Sequence, residues 1–337
     1  MKLKFTHILV TGGSGYCGSV LVPQMLDMGY RVTVYDIQYY GCDFLPLENP
    51  NLTVIQGDIR DIEKLEPLMA DVDAVLHLAC ISNDASFELD ENLSTSVNMD
   101  AFEPIVLAAK KAGVKRFVFA STSSVYGISE EPNVKEDHPL VPLTLYNKFK
   151  GLCEPILFKH TDKNFIGVVY RPATVCGYGP RQRLDLSVNI LTNLAVNKGN
   201  ITVFGGSQLR PNLHVQDYAD LCKALLEAPD EKIANEIFNC GYENMSIMKI
   251  AETVKKVVAE ELPDKDEIGI EVTSSDDLRS YHINSDKVTE VIGFKPQYSV
   301  ADAIRGLCQA FRKGKLPNSL DDDKYFNVRT MKKIGAS

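Results

Sequence analysis

The chain has 337 residues, a formal net charge of −9, 45% hydrophobic and 24% charged residues. That size admits a large α/β domain with an added lobe, or two domains, and the composition is that of a globular enzyme. The acidic balance argues against a nucleic-acid binder, which carries a basic face, although it leaves room for a local basic pocket for phosphates.

In chain order, short apolar runs over 7–11, 31–36, 52–56, 74–78, 116–120 and 165–170 are predicted strands. Helical patterns over 15–28, 95–112 and 145–160 lie between them, with Pro23, Pro104 and Pro155 marking expected kinks or shifted boundaries. Such alternation builds an α/β fold, a Rossmann-type doubly wound parallel sheet. After Arg171 the rhythm breaks. A helix is expected over 184–197, a strand over 201–204 and a further helix after His214. Next come an amphipathic helix over 247–261, a charged loop and strand over 264–281, and helices over 285–292 and 300–312. Residues 317–337 read as irregular structure. The expected division is a dinucleotide-binding domain over 1–170 with a returning segment near 214–245. The rest, 171–213 and 246–337, forms a smaller lobe over the carboxyl edge of the sheet. The apolar run within 1–10 is too short for a signal peptide or membrane span. Eight cysteines without CxxC or Cys/His zinc spacing indicate reduced thiols, a cytoplasmic location and no metal site.

The loop VTGGSGYCG after the first strand satisfies two overlapping glycine spacings through Gly12, Gly13, Gly15 and Gly18. Such glycines permit a tight turn and close approach of the backbone to a pyrophosphate, and Tyr16 and Cys17 open the helix whose N–H groups face it. Asp36 ends the second strand, where a carboxylate accepts from an adenosine ribose and repels a 2′-phosphate. With no Arg or Lys over 37–42, NAD is expected rather than NADP. Asp58 and Ile59 follow the third strand, placed to meet the adenine edge; Asp58 as a solvated loop residue is nearly as good a reading.

Tyr146 and Lys150 in YNKFK are four apart, so they share a helix face. A cation about 4 Å from the phenol, at an effective dielectric near 20, contributes roughly 4 kcal/mol. That would lower the phenol from its ordinary pKa near 10 by up to about three, before burial opposes it. Lys150, with the positive nicotinamide of bound NAD, is thus expected to make Tyr146 a general base.

With TGGSGYCG, GDIRD, HLAC, Asn98, STSSVYG, YNKFK, RPATVCGYGP and RPNLHVQD in this order, the chain resembles an extended short-chain dehydrogenase/reductase acting on nucleotide sugars. The match spans residues 11 to 281. The resemblance implies that Thr122 hydrogen-bonds the reacting sugar oxygen, Tyr146 transfers the proton and Lys150 holds the nicotinamide ribose. Asn98 would support this group on the cofactor side, and Ser82, Asn83, Ser123 and Thr174 would border the sugar. Arg210, and Arg279 in DDLRSY, would meet the donor's two phosphates with forked contacts; Arg181 and Arg183 would also face the donor. Where 4,6-dehydratases of this family carry Asp then Glu after the threonine, this chain has Ser123 and Ser124, which disfavours dehydration. His214 is expected to be structural. A homodimer is implied, built on the helices over 95–112 and 145–160.

The expected activity is NAD-dependent oxidoreduction at C4 of a nucleotide-diphosphate sugar, with a 4-epimerase leading. A C4 dehydrogenase or 4-ketosugar reductase with exchangeable NAD(H) is the rival. A non-catalytic NAD sensor or scaffold is the alternative of another class, disfavoured by the complete Thr122–Tyr146–Lys150 set.

Overall fold

The structure, a computed structural model, describes residues 3–129, 131–265, 267–274 and 280–336. In chain order the strands are β1 His7–Thr11, β2 Arg31–Asp36, β3 Leu52–Gln56, β4 Ala74–His77, β5 Arg116–Ala120 and β6 Ile166–Pro172. Then come β7 Thr174–Cys176, β8 Asn200–Phe204, β9 Leu209–His214, β10 Glu236–Cys240, β11 Glu243–Ser246 and β12 Gly269–Thr273. Seven of them form one sheet in the order β10-β6-β5-β4-β1-β2-β3, and every pair in it is parallel. Continuous buried runs such as His7–Thr11 and Arg116–Ala120 suit a sheet covered by helices on both faces. The order reverses direction between β1 and β4, the place where a crevice opens in such sheets.

Two apolar clusters cover the sheet, one centred on Val10, Val34, Val118 and Tyr218, the other on Leu9, Phe102, Phe119 and Val169. A third, separate cluster joins the helices Ser187–Lys198, Ile247–Glu261 and Val300–Arg312 to the small β8–β12 sheet through Leu191, Val254 and Ile304.

Three expected elements are corrected. The helix over 95–112 is divided into Glu91–Thr95, a wide π turn at Ser96–Asp100 and Phe102–Lys111. Pro104 lacks the N–H that would bond Asp100 and its ring crowds that carbonyl, so the regular ladder cannot pass this point. Pro23 and Pro155, by contrast, sit inside uninterrupted helices Tyr16–Asp27 and Leu145–His160. The helix expected to start at Leu184 begins at Ser187; Leu184 is buried against Leu307 and Tyr325, and Arg183 pairs with Asp185, which holds this stretch extended. The tail is not irregular: it forms a helix, Asn327–Ile334, seated by Met331 against Ile81 and Leu93.

A buried ion pair binds the helix Leu145–His160 to the sheet. Arg171 Nε and Nη2 fork onto the Glu154 carboxylate at 2.9 and 2.6 Å, and Ser121 Oγ donates to the same carboxylate at 2.6 Å. Both partners are 3% exposed. Removing one member of such a pair strands the other charge in a medium that solvates it poorly. Glu154→Ala is therefore expected to cost about 3–5 kcal/mol of stability, read from urea unfolding.

Candidate active site

A cleft of about 730 Å³ opens over the carboxyl ends of the strands. Gly12 after β1, Asp36 ending β2, Asp58 after β3, Ser82 after β4, Thr122 after β5 and Thr174 after β6 all line it.

At one end the glycine loop turns beneath it. Gly12 has φ +74°, and a Cβ there would lie 2.6 Å from the Ala79 nitrogen; a Cβ on Gly18 would collide with the Gly13 carbonyl. Gly15 starts the helix Tyr16–Asp27 with no side-chain cap, so the first-turn N–H groups of Tyr16, Cys17 and Gly18 face the cleft. Asp36 accepts from the amides of Ser14 at 2.9 Å and Gln38 at 2.8 Å. Burial pushes its carboxyl above the ordinary range against the pull of those amides and of Arg181. Each oxygen keeps a lone pair for a ribose hydroxyl. Asp58 and Ile59 border the same end, with Asp58 forked by Arg60 at 3.0 and 2.6 Å.

At the other end stands the helix Leu145–His160, capped by Thr144. Tyr146 and Lys150 both face the cleft. Lys150 Nζ donates to the Ala120 carbonyl at 2.7 Å and lies 4.9 Å from the centre of the Phe119 ring. The expected acidification of Tyr146 by Lys150 and bound NAD is opposed by burial. Burial, with the Cys80 thiol and Asp84 carboxylate adding to it, holds the phenol well above its ordinary value, and Arg183 is the cation that pulls it down. Nearby, His77 is buried on Thr11 Oγ1 at 2.8 Å and pushed down to about 3 by that burial and by Lys150, so it is neutral.

Thr122 Oγ1 lies 2.8 Å from Ser124 Oγ, which donates to Asn147 Oδ1 at 2.6 Å. Thr122 Oγ1 also accepts from the Ser124 amide at 3.2 Å, which holds the hydroxyl at the cleft wall. Ser123 Oγ is 3.3 Å from Tyr281 OH. Asn147 and Tyr281 escaped the sequence reading; Asn147 carried a signal, since it directly follows Tyr146.

The remaining predicted residues divide. Asn83 lines the cleft at φ 71°, an unusual conformation for a residue with a side chain, held by its bond from the Ser86 amide at 2.8 Å. Thr174 and Arg210 line it beside Phe204 and Gln208, and Arg210 Nη1 donates to the Leu209 carbonyl at 3.0 Å. Asn98 is not among the lining residues: its amide accepts from the Ile81 N–H at 2.8 Å and donates to the Ile81 carbonyl at 2.9 Å, which shapes the loop after β4. Arg181 and Arg183, expected to face the donor, line the cleft toward its glycine-loop side. The Arg181 guanidinium is 3.8 Å from the centre of the Tyr40 ring, and Arg183 Nη1 donates to Ser82 Oγ at 3.2 Å. Arg279 lies outside the described residues. His214 caps the helix Val215–Glu227, accepting from Gln216 at 3.0 Å.

These residues fit a dinucleotide: a turn that a Cβ would fill, uncapped helical N–H groups, an acidic acceptor and buried cations along one wall. The sequence pattern of the NAD dependent epimerase/dehydratase family matches residues 8–241. The chain belongs to the NAD-dependent epimerase/dehydratase family. As in the rest of that family, its cofactor is NAD. Among curated relatives, the low-salt glycan biosynthesis protein Agl12 of Haloferax volcanii is 30% identical over 305 residues, covering 88% of this chain and 96% of that one. The UDP-glucose 4-epimerase of Azospirillum brasilense is 27% identical over 325 residues, covering 88% and 89%. Among solved structures, UDP-glucuronic acid 4-epimerase from Bacillus cereus, in complex with UDP-glucuronic acid and NAD, superposes with a TM-score of 0.80. It is 25% identical, with 91% of this chain and 99% of that one covered.

Gly18→Ala forces the phosphate turn open and is expected to weaken NAD binding at least about tenfold, read by calorimetry on protein freed of copurified dinucleotide.

Proposed function

We propose that the chain is a nucleotide-diphosphate-sugar 4-epimerase working through a transient 4-keto sugar. What carries the reading is the convergence of Thr122, Tyr146 and Lys150 on one wall of a cleft that also holds the dinucleotide residues. Bound NAD would be held by the glycine loop, Asp36 and Lys150, and supplies reversible hydride acceptance at C4. Tyr146 takes the proton of the C4 hydroxyl and, once the 4-keto sugar has turned its opposite face to the same wall, returns it to that oxygen as C4 is reduced. Proton and hydride both return, so the cofactor ends as it began. Thr122, placed beside Ser124 and Asn147, turns its hydroxyl hydrogen to the reacting sugar oxygen and fixes it while Tyr146 takes the proton. Lys150, tethered to Ala120, keeps two donors for the nicotinamide ribose. Arg210, Gln208 and Phe204, at the far end, are assigned to the nucleotide diphosphate of the donor. Elimination of water would need further acid and base groups, and the positions after Thr122 offer hydroxyls tied to Asn147 and Tyr281.

The homodimer belongs to this proposal. Leu107 of the helix Phe102–Lys111, and Leu145 and Leu152 of the helix Leu145–His160, are 45%, 37% and 41% exposed on neighbouring helices, an apolar face suited to a second copy. No helix among the described residues is long and apolar enough to cross a membrane, and all eight cysteines are free. A cytoplasmic location accords with those thiols.

The test is incubation of purified protein with UDP-glucose, UDP-glucuronic acid and UDP-N-acetylglucosamine without added cofactor. Appearance of the C4 epimer by NMR supports the reading, and turnover only on supply of NAD(H) favours the dehydrogenase or reductase. Tyr146→Phe is expected to lower turnover by about 10²–10⁴ with NAD still bound. Turnover requires the phenolate, so the rate rises as pH passes the pKa of Tyr146. Asp84 raises that pKa and Arg183 lowers it. The acid limb of the kcat–pH profile should therefore move to lower pH in Asp84→Asn and to higher pH in Arg183→Gln.

A further inference from the structure

We infer that Arg181 and Arg183 clamp the diphosphate of the bound dinucleotide from the side opposite the helix Tyr16–Asp27, and that Asn327 locks the clamp shut. The inference rests on the chain's use of a dinucleotide and is independent of which sugar it turns over.

The two guanidiniums are 4% and 8% exposed in the cleft wall, with Asp185 beside them and Asp36 within electrostatic reach of Arg181. Asp185 is taken by Arg183, through Nε at 2.8 Å and Nη2 at 3.2 Å. Arg181 has a different set of neighbours: its Nη2 donates to Asn327 Oδ1 at 2.7 Å, its face rests on Tyr40, and its buried Nε has no hydrogen-bond partner. Burial and the Arg183 charge depress its pKa to about 10. A buried cation pushed against a second cation, with an idle donor, is costly unless an anion completes the site. The diphosphate of a dinucleotide brings two negative charges and oxygens that match a guanidinium fork.

Position selects that ligand group over the phosphates of the sugar donor. The Arg181 amide donates to Ser19 Oγ at 3.2 Å, inside the first turns of the glycine-loop helix. Tyr40 lies just beyond Asp36, the ribose acceptor. Arg183 reaches Ser82 after β4 and acts on Tyr146. The pair therefore spans the interval from Asp36, assigned to the adenosine ribose, to Tyr146, which shares its helix face with Lys150, assigned to the nicotinamide ribose, and the diphosphate joins those riboses. Arg210, on β9, is left as the cation for the donor.

Asn327 fastens the pair. Its side chain accepts from Arg181 and donates to Ser82 Oγ at 3.2 Å, while its amide donates to Asp185 Oδ2 at 3.1 Å. Met331, one turn on, seats the helix against Ile81 and Leu93. A cofactor gripped on both sides leaves slowly, as required of an enzyme whose cofactor is regenerated in place.

Full-length protein stripped of copurified dinucleotide is titrated with ADP-ribose, which carries the diphosphate, and with adenosine, which does not. Arg181→Gln is expected to weaken ADP-ribose about tenfold or more and to leave adenosine within twofold. Asn327→Ala, which keeps the backbone bond to Asp185, serves if Arg181→Gln does not fold. It should weaken ADP-ribose several-fold and speed NADH release in stopped-flow fluorescence. Equal losses for the two ligands, or none, overturn the clamp while leaving the enzyme assignment intact. Failure of the unaltered protein to bind either NAD or ADP-ribose sinks the dinucleotide reading and the clamp with it.

Discussion

The reactive geometry hangs on the Arg171–Glu154 pair, which touches neither sugar nor dinucleotide. Glu154 stands one turn beyond Lys150, and Arg171 lies near the end of β6. Their fork, extended by Ser121 at the end of β5 and by Tyr126 through Arg171 Nη1 at 2.6 Å, fixes the rotation of the helix about its axis. A rotation that swung Tyr146 out of the cleft would pull Glu154 off its partners and leave two buried charges unsatisfied. Dispersion contacts alone tolerate such slippage more readily than a bidentate bond does.

With that helix fixed, the cleft becomes a graded electrostatic surface. Uncapped amides and two arginines occupy the glycine-loop end, Lys150 the middle, and Arg210 the far wall. Tyr146 works against its own burial, and Lys150, Arg183 and the positive nicotinamide are the cations assigned to offset it. The hydroxyl chain from Thr122 through Ser124 to Asn147 joins the helix to the loop after β5. A shift of Tyr146 thus carries the sugar-contacting hydroxyl with it.

What could be read from the sequence was local. The glycine turn, Asp36 at a strand end and the four-residue spacing of Tyr146 and Lys150 each encode their geometry within one or two elements, and the structure assembles them in one cleft. The parallel sheet followed from buried β-branched runs alternating with helices. Elements whose form depends on distant partners were misjudged. Leu184 was held extended by a remote apolar cluster. The tail helix has little apolar content of its own and gains its seat from Ile81 and Leu93. The π turn before Pro104 was anticipated as a disturbance, though its form was not.

Gly12, Lys150, Arg183 and Asn327, which border one cavity, are drawn from the start, the middle and the end of the sequence. Nearly the whole polypeptide must therefore be looped together before a dinucleotide finds all its contacts, and NAD has little to hold while the chain is still condensing. Its influence falls on unfolding, where mass action deepens the native well in proportion to the logarithm of free NAD. Survival of this protein under heat or proteolysis would then track the cell's nicotinamide supply, while the speed at which new copies mature would not.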